Sequence, residues 1–216
     1  QRERKTQIHS MKTRYFIMAL FVLASAGAQA AEKGKDLMDT KPEGYPSAVF
    51  AGGCFWCVES EYRRLDGVLF TRSGYAGGAL ENPKYEATHD GKSGHAEAVE
   101  ITYDPAKISY QQLVEFFFTQ AHNPTELNRQ GPDVGAQYRS VLFYGSEEEK
   151  AIGQAVKAEL EAKHVYQKPI VTEFAARGTF WEAEEYHQRY FEKYEAKTGA
   201  PHINEIYHEK RKEDWR

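Results

Sequence analysis

The chain contains two cysteines, and both lie in the run Gly-Gly-Cys-Phe-Trp-Cys at residues 52–57. A short apolar run precedes this motif and a helical pattern follows it, so we expect Cys54 at the start of a helix. The free N–H groups and partial positive charge of a helix N-terminus favour a thiolate, which predicts a lowered pKa for Cys54. Cys57 lies one helical turn further on the same side, within reach of a disulfide bond. The spacing predicts redox or nucleophilic chemistry at Cys54.

Three other interpretations of this cysteine pair stay open at this point. A structural disulfide would close a four-residue loop and add only about 2 kcal/mol of stability. A zinc site would need two further ligands, and the chain offers only scattered histidines. The two thiols could also be buried and inert. Among redox proteins, a thioredoxin-like oxidoreductase likewise places a Cys-x-x-Cys motif between a strand and a helix, so the motif alone does not identify the reaction.

Glu97 is the second residue whose position indicates chemistry. In the predicted strand 97–103 it falls in line with Val99, Ile101 and Tyr103, on the face that should be buried. Burial raises the pKa of a carboxyl group, so Glu97 could stay protonated at neutral pH and donate a proton. The alternative is a glutamate at a strand end that points into solvent.

The elements that position these residues alternate between strands and helices. Strands are predicted at 47–51, 68–75, 97–103, 138–144 and 169–176, and a helix at 54–65. Capping-box patterns predict three further helices, which begin at Ser109, Ser146 and Thr179 and run to residues 121, 164 and 194. Residues 74–95 have the glycine-rich composition of a functional loop. The pattern predicts an α+β fold in which helices pack on a mixed sheet.

Composition indicates one globular domain and excludes several functions. The chain has 216 residues, of which 41% are hydrophobic and 28% charged, and its formal net charge is −4. An acidic chain of this kind does not favour nucleic acid as its main ligand. Two cysteines exclude a disulfide-scaffold fold and a four-cysteine zinc site. The sequence has no glycine-rich phosphate loop, and no metal, nucleotide or flavin site is visible in it, so we expect no bound cofactor.

Residues 11–30 resemble a secretory signal peptide. Lys12 and Arg14 give a basic start, ten apolar residues follow at 15–24, and Ala-Gln-Ala at 28–30 is a typical cleavage pattern. The apolar run is shorter than the ~20 residues that span a bilayer, although an uncleaved anchor is the alternative. We therefore expect a periplasmic or secreted protein with no stable membrane association after cleavage.

The remaining boundaries follow from this signal. Residues 1–10 precede a plausible start at Met11 and are interpreted as an upstream extension. Residues 31–46 are polar and are expected to form a loose arm. Residues 47–216 are predicted to form a single catalytic domain with a charged C-terminal tail.

Several short motifs, in register, are similar to one known family. They are Gly-Cys-Phe-Trp at 53–56, Gly-Tyr-Ala-Gly-Gly at 74–78, Asn-Pro-Lys-Tyr at 82–85, Gly-His-Ala-Glu at 94–97, Tyr-Asp-Pro at 103–105, Gln-Gly-Pro-Asp at 130–133, Gln-Tyr-Arg-Ser at 137–140 and Ala-Glu-Glu-Tyr-His-Gln at 183–188. Together they resemble the methionine sulfoxide reductase A family over about residues 47–195. The resemblance implies an α+β fold on a ferredoxin-like core. It also implies reduction of the S-epimer of methionine sulfoxide, free or in peptides and proteins.

The resemblance also implies a role for each site residue. Cys54 corresponds to the nucleophile and Glu97 to the acid. Five residues correspond to the substrate pocket: Phe55 and Trp56 as an aromatic wall for the methyl group, Tyr85 and Tyr138 as hydroxyl donors to the oxygen, and Asp133 as a polar residue of the same pocket. From the residues alone, the two tyrosines could be core residues and Asp133 could hold a turn. His95 and His187 are interpreted as structural hydrogen-bonding residues.

Departures from the family pattern suggest how the enzyme is regenerated. Many relatives carry resolving cysteines in a glycine-rich tail, whereas residues 196–216 contain none. Cys57 stands where many relatives have glycine, and Asn123 stands where they have aspartate. We therefore interpret the chain as a two-cysteine variant, in which Cys57 condenses with a Cys54 sulfenic acid. An external thioredoxin-like dithiol would then reduce the disulfide.

Two other functions remain open from the sequence. One is a general thiol–disulfide oxidoreductase. The other is a non-catalytic extracytoplasmic binding domain with a structural Cys54–Cys57 bridge.

Overall fold

The structure, a computed structural model, describes residues 40–199. The predicted upstream extension 1–10, the signal peptide 11–30, the first part of the arm and the tail from residue 200 onward lie outside the described residues. The strands are β1 (Ser47–Gly52), β2 (Val68–Ala76), β3 (Ala96–Tyr103), β4 (Arg129–Gln130), β5 (Asp133–Val134), β6 (Ser140–Tyr144), β7 (Glu173–Ala176) and β8 (Trp181–Glu182). The α-helices are α1 (Phe55–Arg63), α2 (Tyr85–His89), α3 (Tyr110–Phe116), α4 (Glu147–Ala162) and α5 (Tyr190–Thr198).

Six of these strands form one mixed sheet in the order β7-β6-β1-β3-β2-β8. Only the β6–β7 pair is parallel within it. The core of the sheet has the strand order β6-β1-β3-β2, and β3 is antiparallel to both β1 and β2, which are therefore parallel to each other. Along the chain, these core elements follow one another as β1, α1, β2, β3, α3 and β6. This is the split β-α-β arrangement of a ferredoxin-like core. The predicted α+β fold class is confirmed.

Strand β3 shows why Glu97 lies in the interior. Every residue of this strand is buried. Val99 and Ile101 belong to the larger core cluster, together with side chains of α1 and α3, whereas Ala96 and Ala98 belong to a smaller cluster on the opposite face. The predicted alternation is therefore correct, and Glu97 shares the face that the helices cover.

Two of the three predicted helix starts are confirmed. Ser109 and Gln112 form a complete capping box at α3. Ser146 caps α4 by accepting a hydrogen bond from the N–H of Glu149, whose carboxylate accepts from the N–H of Gly145. Helix α3 continues into a single π-helical turn, Phe117–Ala121. A π turn releases backbone carbonyl groups from the regular ladder, and the carbonyl of Phe117 contacts His122 Nδ1 at 2.9 Å.

The helix predicted from Thr179 is wrong. Trp181 and Glu182 instead form β8, which pairs with β2 at the edge of the sheet. A 3₁₀ turn follows at Glu185–His187, and α5 begins only at Tyr190. The capping-box pattern is local, whereas the open edge of β2 provides hydrogen-bond partners that the local pattern does not reveal.

The other boundary differences are smaller. Of the predicted strand 169–176, only Glu173–Ala176 pairs in the sheet. The predicted strand 138–144 begins at Ser140, and Tyr138 lies in the preceding 3₁₀ turn, Ala136–Tyr138. The predicted loop 74–95 contains the short helix α2. Within residues 40–199, none of the helices has the length and apolar character needed to cross a membrane.

Candidate active site

Cys54 occupies the sharp turn between β1 and α1. Gly53 adopts a φ of +96°, which a residue with a side chain rarely adopts, and Cys54 is the N-cap of α1. The carbonyl of Cys54 accepts hydrogen bonds from the N–H groups of Cys57 and Val58 at 3.1 and 3.2 Å. Neither cysteine is in a disulfide bond, and both residues are partly exposed. The predicted place of Cys54 at a helix start is confirmed.

The lowered pKa predicted for Cys54 is wrong. The pKa of its thiol is raised well above the usual value, first by a hydrogen bond with the Cys57 side chain, then by burial, and less by the charges that Cys57 and Glu97 carry when they are ionised. The backbone N–H of Cys57 acts in the predicted direction, but its effect is smaller. The resting thiol therefore keeps its proton, which must leave as the sulfur attacks a substrate.

Glu97 is a buried acid beside the nucleophile. Its residue is 3% exposed, and its Oε2 accepts a hydrogen bond from the N–H of Phe55 at 3.0 Å. Burial raises the pKa of Glu97 to about 8, with further increases from the charges of Asp133 and Cys57, while the Phe55 N–H opposes them. The carboxyl group is therefore mostly protonated at neutral pH, as the strand pattern predicted.

Three predicted pocket residues come from separate segments and meet near Glu97. Tyr85 is the first residue of α2, Asp133 lies in β5, and Tyr138 ends a 3₁₀ turn. The pKa of Tyr138 is raised by burial and then by the charges of Glu97 and Asp133. The pKa of Tyr85 is raised by burial and then by Glu97 and Cys54. Both phenols therefore stay protonated and can donate hydrogen bonds.

The two aromatic residues after Cys54 differ in their surroundings. Phe55 is buried, and its ring packs against Tyr75 at 5.8 Å and His187 at 4.9 Å between centroids. Trp56 is half-buried and stacks on Tyr190 with centroids 3.7 Å apart and planes 4° from parallel. Its Nε1–H donates to Nδ1 of His187 at 2.9 Å. The stacking on Tyr190 and the hydrogen bond to His187 together fix the orientation of the indole ring.

The predicted structural roles of two histidines agree with their contacts. Nδ1 of His95 accepts from the N–H of Gly78 at 3.1 Å, and its Nε2 contacts the carbonyl of Leu80 at 2.8 Å. His187 accepts from Trp56 and also lies against the ring of Tyr85, with 4.8 Å between centroids. His187 therefore connects the aromatic wall to the helix that carries Tyr85.

Sequence reasoning assigned no role to Glu184 or Tyr190. The Glu184 carboxylate accepts from the Tyr75 hydroxyl at 3.0 Å and from the N–H of Tyr85 at 3.2 Å, which fixes the start of α2. Glu184 lies inside the recognised run 183–188, so the motif indicated its importance without its partners. Tyr190 lies two residues beyond that run, and nothing in the local pattern indicated that it stacks on Trp56.

The part of the chain that the structure describes contains no group of three or more histidine, cysteine, aspartate or glutamate residues that could hold a metal ion.

Comparison with known proteins agrees with this geometry. The family model for peptide methionine sulfoxide reductase matches residues 46–216. The chain is 48% identical over 163 residues to peptide methionine sulfoxide reductase MsrA of Methanosarcina acetivorans, covering 76% of this chain and 86% of the relative. It is 52% identical over 149 residues to the MsrA of Methanothermobacter thermautotrophicus, covering 69% and 88%.

Solved structures give the same result. The reduced form of Mxr1 from Saccharomyces cerevisiae superposes with a TM-score of 0.66 at 32% identity, covering 76% of this chain and 92% of that chain. Methionine sulfoxide reductase A of Corynebacterium diphtheriae superposes with a TM-score of 0.62 at 32% identity, covering 71% and 76%. The chain thus belongs to the peptide methionine sulfoxide reductase family and is an oxidoreductase that reduces methionine sulfoxide.

Proposed function

We propose that this enzyme reduces the S-epimer of methionine sulfoxide in proteins, peptides and free methionine, through a sulfenic acid on Cys54. One observation carries the proposal: Glu97, with a pKa of about 8, is hydrogen-bonded to the N–H of the residue that follows Cys54. A proton donor is thereby held beside the nucleophile. A sulfoxide oxygen leaves its sulfur only when it gains a proton, because a bare oxyanion is a poor leaving group.

The first step balances without a cofactor. The Cys54 sulfur attacks the sulfoxide sulfur and forms a transient sulfur–sulfur bond. The protonated oxygen then moves to the Cys54 sulfur as the substrate's sulfur–oxygen bond and the transient sulfur–sulfur bond break, so that the substrate sulfur keeps an electron pair and Cys54 becomes a sulfenic acid. Glu97 gives its proton to the oxygen and regains one from the Cys54 thiol. The substrate sulfur is reduced by two electrons and the Cys54 sulfur is oxidised by two, which yields methionine.

Recognition of the epimer follows from the two sides of the pocket. Phe55 and Trp56 would hold the methyl group, while the hydroxyls of Tyr85 and Tyr138 and the Glu97 carboxyl would hold the oxygen, with Asp133 as a polar neighbour. When the methyl group and the oxygen are both placed, only one configuration at sulfur presents the sulfur to Cys54. Donors aimed at the oxygen also stabilise the negative charge that develops there.

Regeneration would use the second cysteine and an external reductant. The hydrogen bond between the side chains of Cys54 and Cys57 shows that the two sulfurs lie close together. The Cys57 thiol condenses with the sulfenic acid, which releases water and forms a disulfide. A thioredoxin-like dithiol then reduces this disulfide by exchange and becomes oxidised itself. No bound cofactor is required for this cycle.

The deciding experiment is a dithiol-driven assay on the two separated sulfoxide epimers. The S-epimer should be converted to methionine, whereas the R-epimer should not react. Equal turnover of both epimers would contradict the proposed pocket. Reduction of insulin disulfides with no turnover of either sulfoxide would instead support a general thiol–disulfide oxidoreductase.

We also propose that the enzyme works in the periplasm or outside the cell. The support is the sequence of residues 11–30, with its basic start, ten-residue apolar run and small-residue cleavage pattern.

A further inference from the structure

The segment after the π turn packs directly on the turn that carries the nucleophile. A Cβ atom at Gly52 would lie 2.8 Å from Cγ of His122, and a Cβ atom at Gly53 would lie 2.6 Å from both Cβ and Cγ of Gln130. A side chain at either position would force His122 or Gln130 to shift, and at Gly53 the φ of +96° also disfavours a residue with a side chain. The side chain of Gln130 therefore rests against the residue that immediately precedes Cys54.

The amide of Gln130 is held by two hydrogen bonds to one residue. Its Oε1 accepts from the N–H of Asn123 at 3.0 Å, and its Nε2–H donates to the carbonyl of Asn123 at 3.1 Å. Gln130 is 5% exposed, so loss of these bonds would leave buried polar groups unpaired. The paired contact fixes where the Gln130 side chain, and with it its backbone, can lie.

Gln130 is also the residue that faces Asp133 across the hairpin β4–β5, here called the Asp133 hairpin (residues 129–134). The two residues are paired, and Gly131 and Pro132 form the turn between them. The charge of Asp133 helps to raise the pKa values of Glu97, Tyr85 and Tyr138. If Gln130 moved, Asp133 would move with it, and the effect of the Asp133 charge on the pKa values of these three groups would change.

We propose that Gln130 is a positioning residue for the reduction of methionine sulfoxide. Its amide holds the Asp133 hairpin to Asn123 and against Gly53, and this sets the position of Asp133 relative to Glu97. The inference rests on the roles proposed above for Asp133 and Glu97. Gln130 acts through Asp133, so its removal should have no effect of its own once Asp133 has lost its charge.

The test uses Gln130→Met, which keeps the length of the side chain and removes both hydrogen bonds. Its matched control is Gln111→Met, the same change at an exposed glutamine on α3 whose side-chain amide donates to the carboxylate of Glu115. Single-turnover formation of methionine, without reductant, is measured from pH 6 to 10. We expect Gln130→Met to be roughly 10- to 100-fold slower, as for other small displacements in active sites. The decline of its rate at high pH should shift to lower pH, because a displaced Asp133 raises the pKa of Glu97 less. The rate and pH profile of Gln111→Met should match those of the wild type.

Asp133→Asn and the double variant separate positioning from general stability. We expect Asp133→Asn to shift the decline in the same direction, and the double variant to be no slower than the slower single variant, because coupled residues are not additive. Losses that multiply in the double variant, or an unchanged rate and pH profile in Gln130→Met, would overturn the inference.

Two further measurements keep these outcomes distinct. If Asp133→Asn has wild-type rate and pH profile, the role of Asp133 in the proposed function fails, and the inference about Gln130 fails with it. Circular dichroism and thermal unfolding confirm that each variant is folded. If Gln130→Met does not fold, Gln130→Asn replaces it, because it stays polar while the shorter side chain withdraws the amide from Asn123. The same rate loss and non-additivity are then expected.

Discussion

The carboxyl group of Glu97 is buried away from water, and the negative charge of Asp133 nearby raises its pKa further. Glu97→Gln keeps the size of the side chain and its contact with the Phe55 N–H, but it removes the transferable proton. We expect the single-turnover rate constant to fall by ~10²–10⁴-fold while the fold is retained. Rapid-quench measurement of methionine gives the rate, and circular dichroism checks the fold. A loss of less than threefold at neutral pH would leave Glu97 without an acid role.

The pKa of Glu97 predicts the pH dependence of the same step. The carboxyl pKa is raised to about 8, so the acid is protonated below that pH and loses its proton as the pH rises through it. The rate of methionine formation should therefore decline above about pH 8. Glu97→Gln has no proton to lose and should lack this decline. The opposite result, a rate that rises through pH 8 in the wild type and stays flat in the variant, would assign Glu97 as a base.

The proposed resolving role belongs to Cys57, the only other cysteine in the chain. Cys57→Ser should still release about one methionine per enzyme without reductant, and should then stop with a sulfenic acid on Cys54. Cys54→Ser should release none and serves as the control. Mass spectrometry of substrate-treated wild type should show a loss of two hydrogens in the peptide that holds both cysteines. Thioredoxin-driven turnover of Cys57→Ser at the wild-type rate would make Cys57 a bystander.

Two capping-box patterns in this chain lead to different structures, which gives a test of the helix starts. Ser109 caps α3 and accepts a hydrogen bond from the N–H of Gln112. Thr179 matches the same pattern, but the segment after it forms β8. Ser109→Ala should lower the free energy of unfolding by about 1 kcal/mol. Thr179→Ala should change it by less than about 0.5 kcal/mol, as is usual for a change that removes no cap.

Urea unfolding of the two variants and the wild type provides the measurement. Equal losses of stability in both variants would show that the pattern at Thr179 stabilises a helix after all.

Helix α1 and strand β3 together determine the chemistry of the site. The first N–H group of α1, that of Phe55, donates to Glu97 on β3, so the helix start holds the acid as well as the nucleophile. This contact joins positions 42 residues apart in the chain. A helix N-terminus therefore acts here mainly on a carboxyl group from another element, and only weakly on the pKa of its own cysteine.

For the whole molecule, the prediction concerns export. Protein purified from its native host should begin at or near Ala31, because the segment 11–30 has the basic, apolar and small-residue parts of a cleaved signal. Intact-mass analysis measures the start directly. A chain that retains residues 11–30 would support a membrane anchor instead.

Local patterns in the sequence were sufficient for much of the fold and for the two principal catalytic candidates. Cys54 could be placed at a helix start because a strand, two glycines and a helical stripe follow one another within a short stretch. Glu97 could be placed inside because side chains alternate with a period of two along a strand. The family motifs then indicated Tyr85, Asp133 and Tyr138, which no periodic pattern identifies.

The tertiary structure decided what depends on residues far apart in the chain. The pKa of Cys54 is raised and not lowered, because the hydrogen bond with the Cys57 side chain and burial, with smaller contributions from Cys57 and Glu97 when they are ionised, outweigh the N–H group of Cys57 near the helix start. Trp181 joins the sheet because the edge of β2 lies beside it. The contact of Gln130 with Gly53 has no local signal, since packing between segments 77 residues apart in sequence exists only after the chain has folded. The electrostatic environment of a group, its burial and the pairing of a sheet edge all depend on every residue that is near in space. The sequence alone shows only which residues are near along the chain.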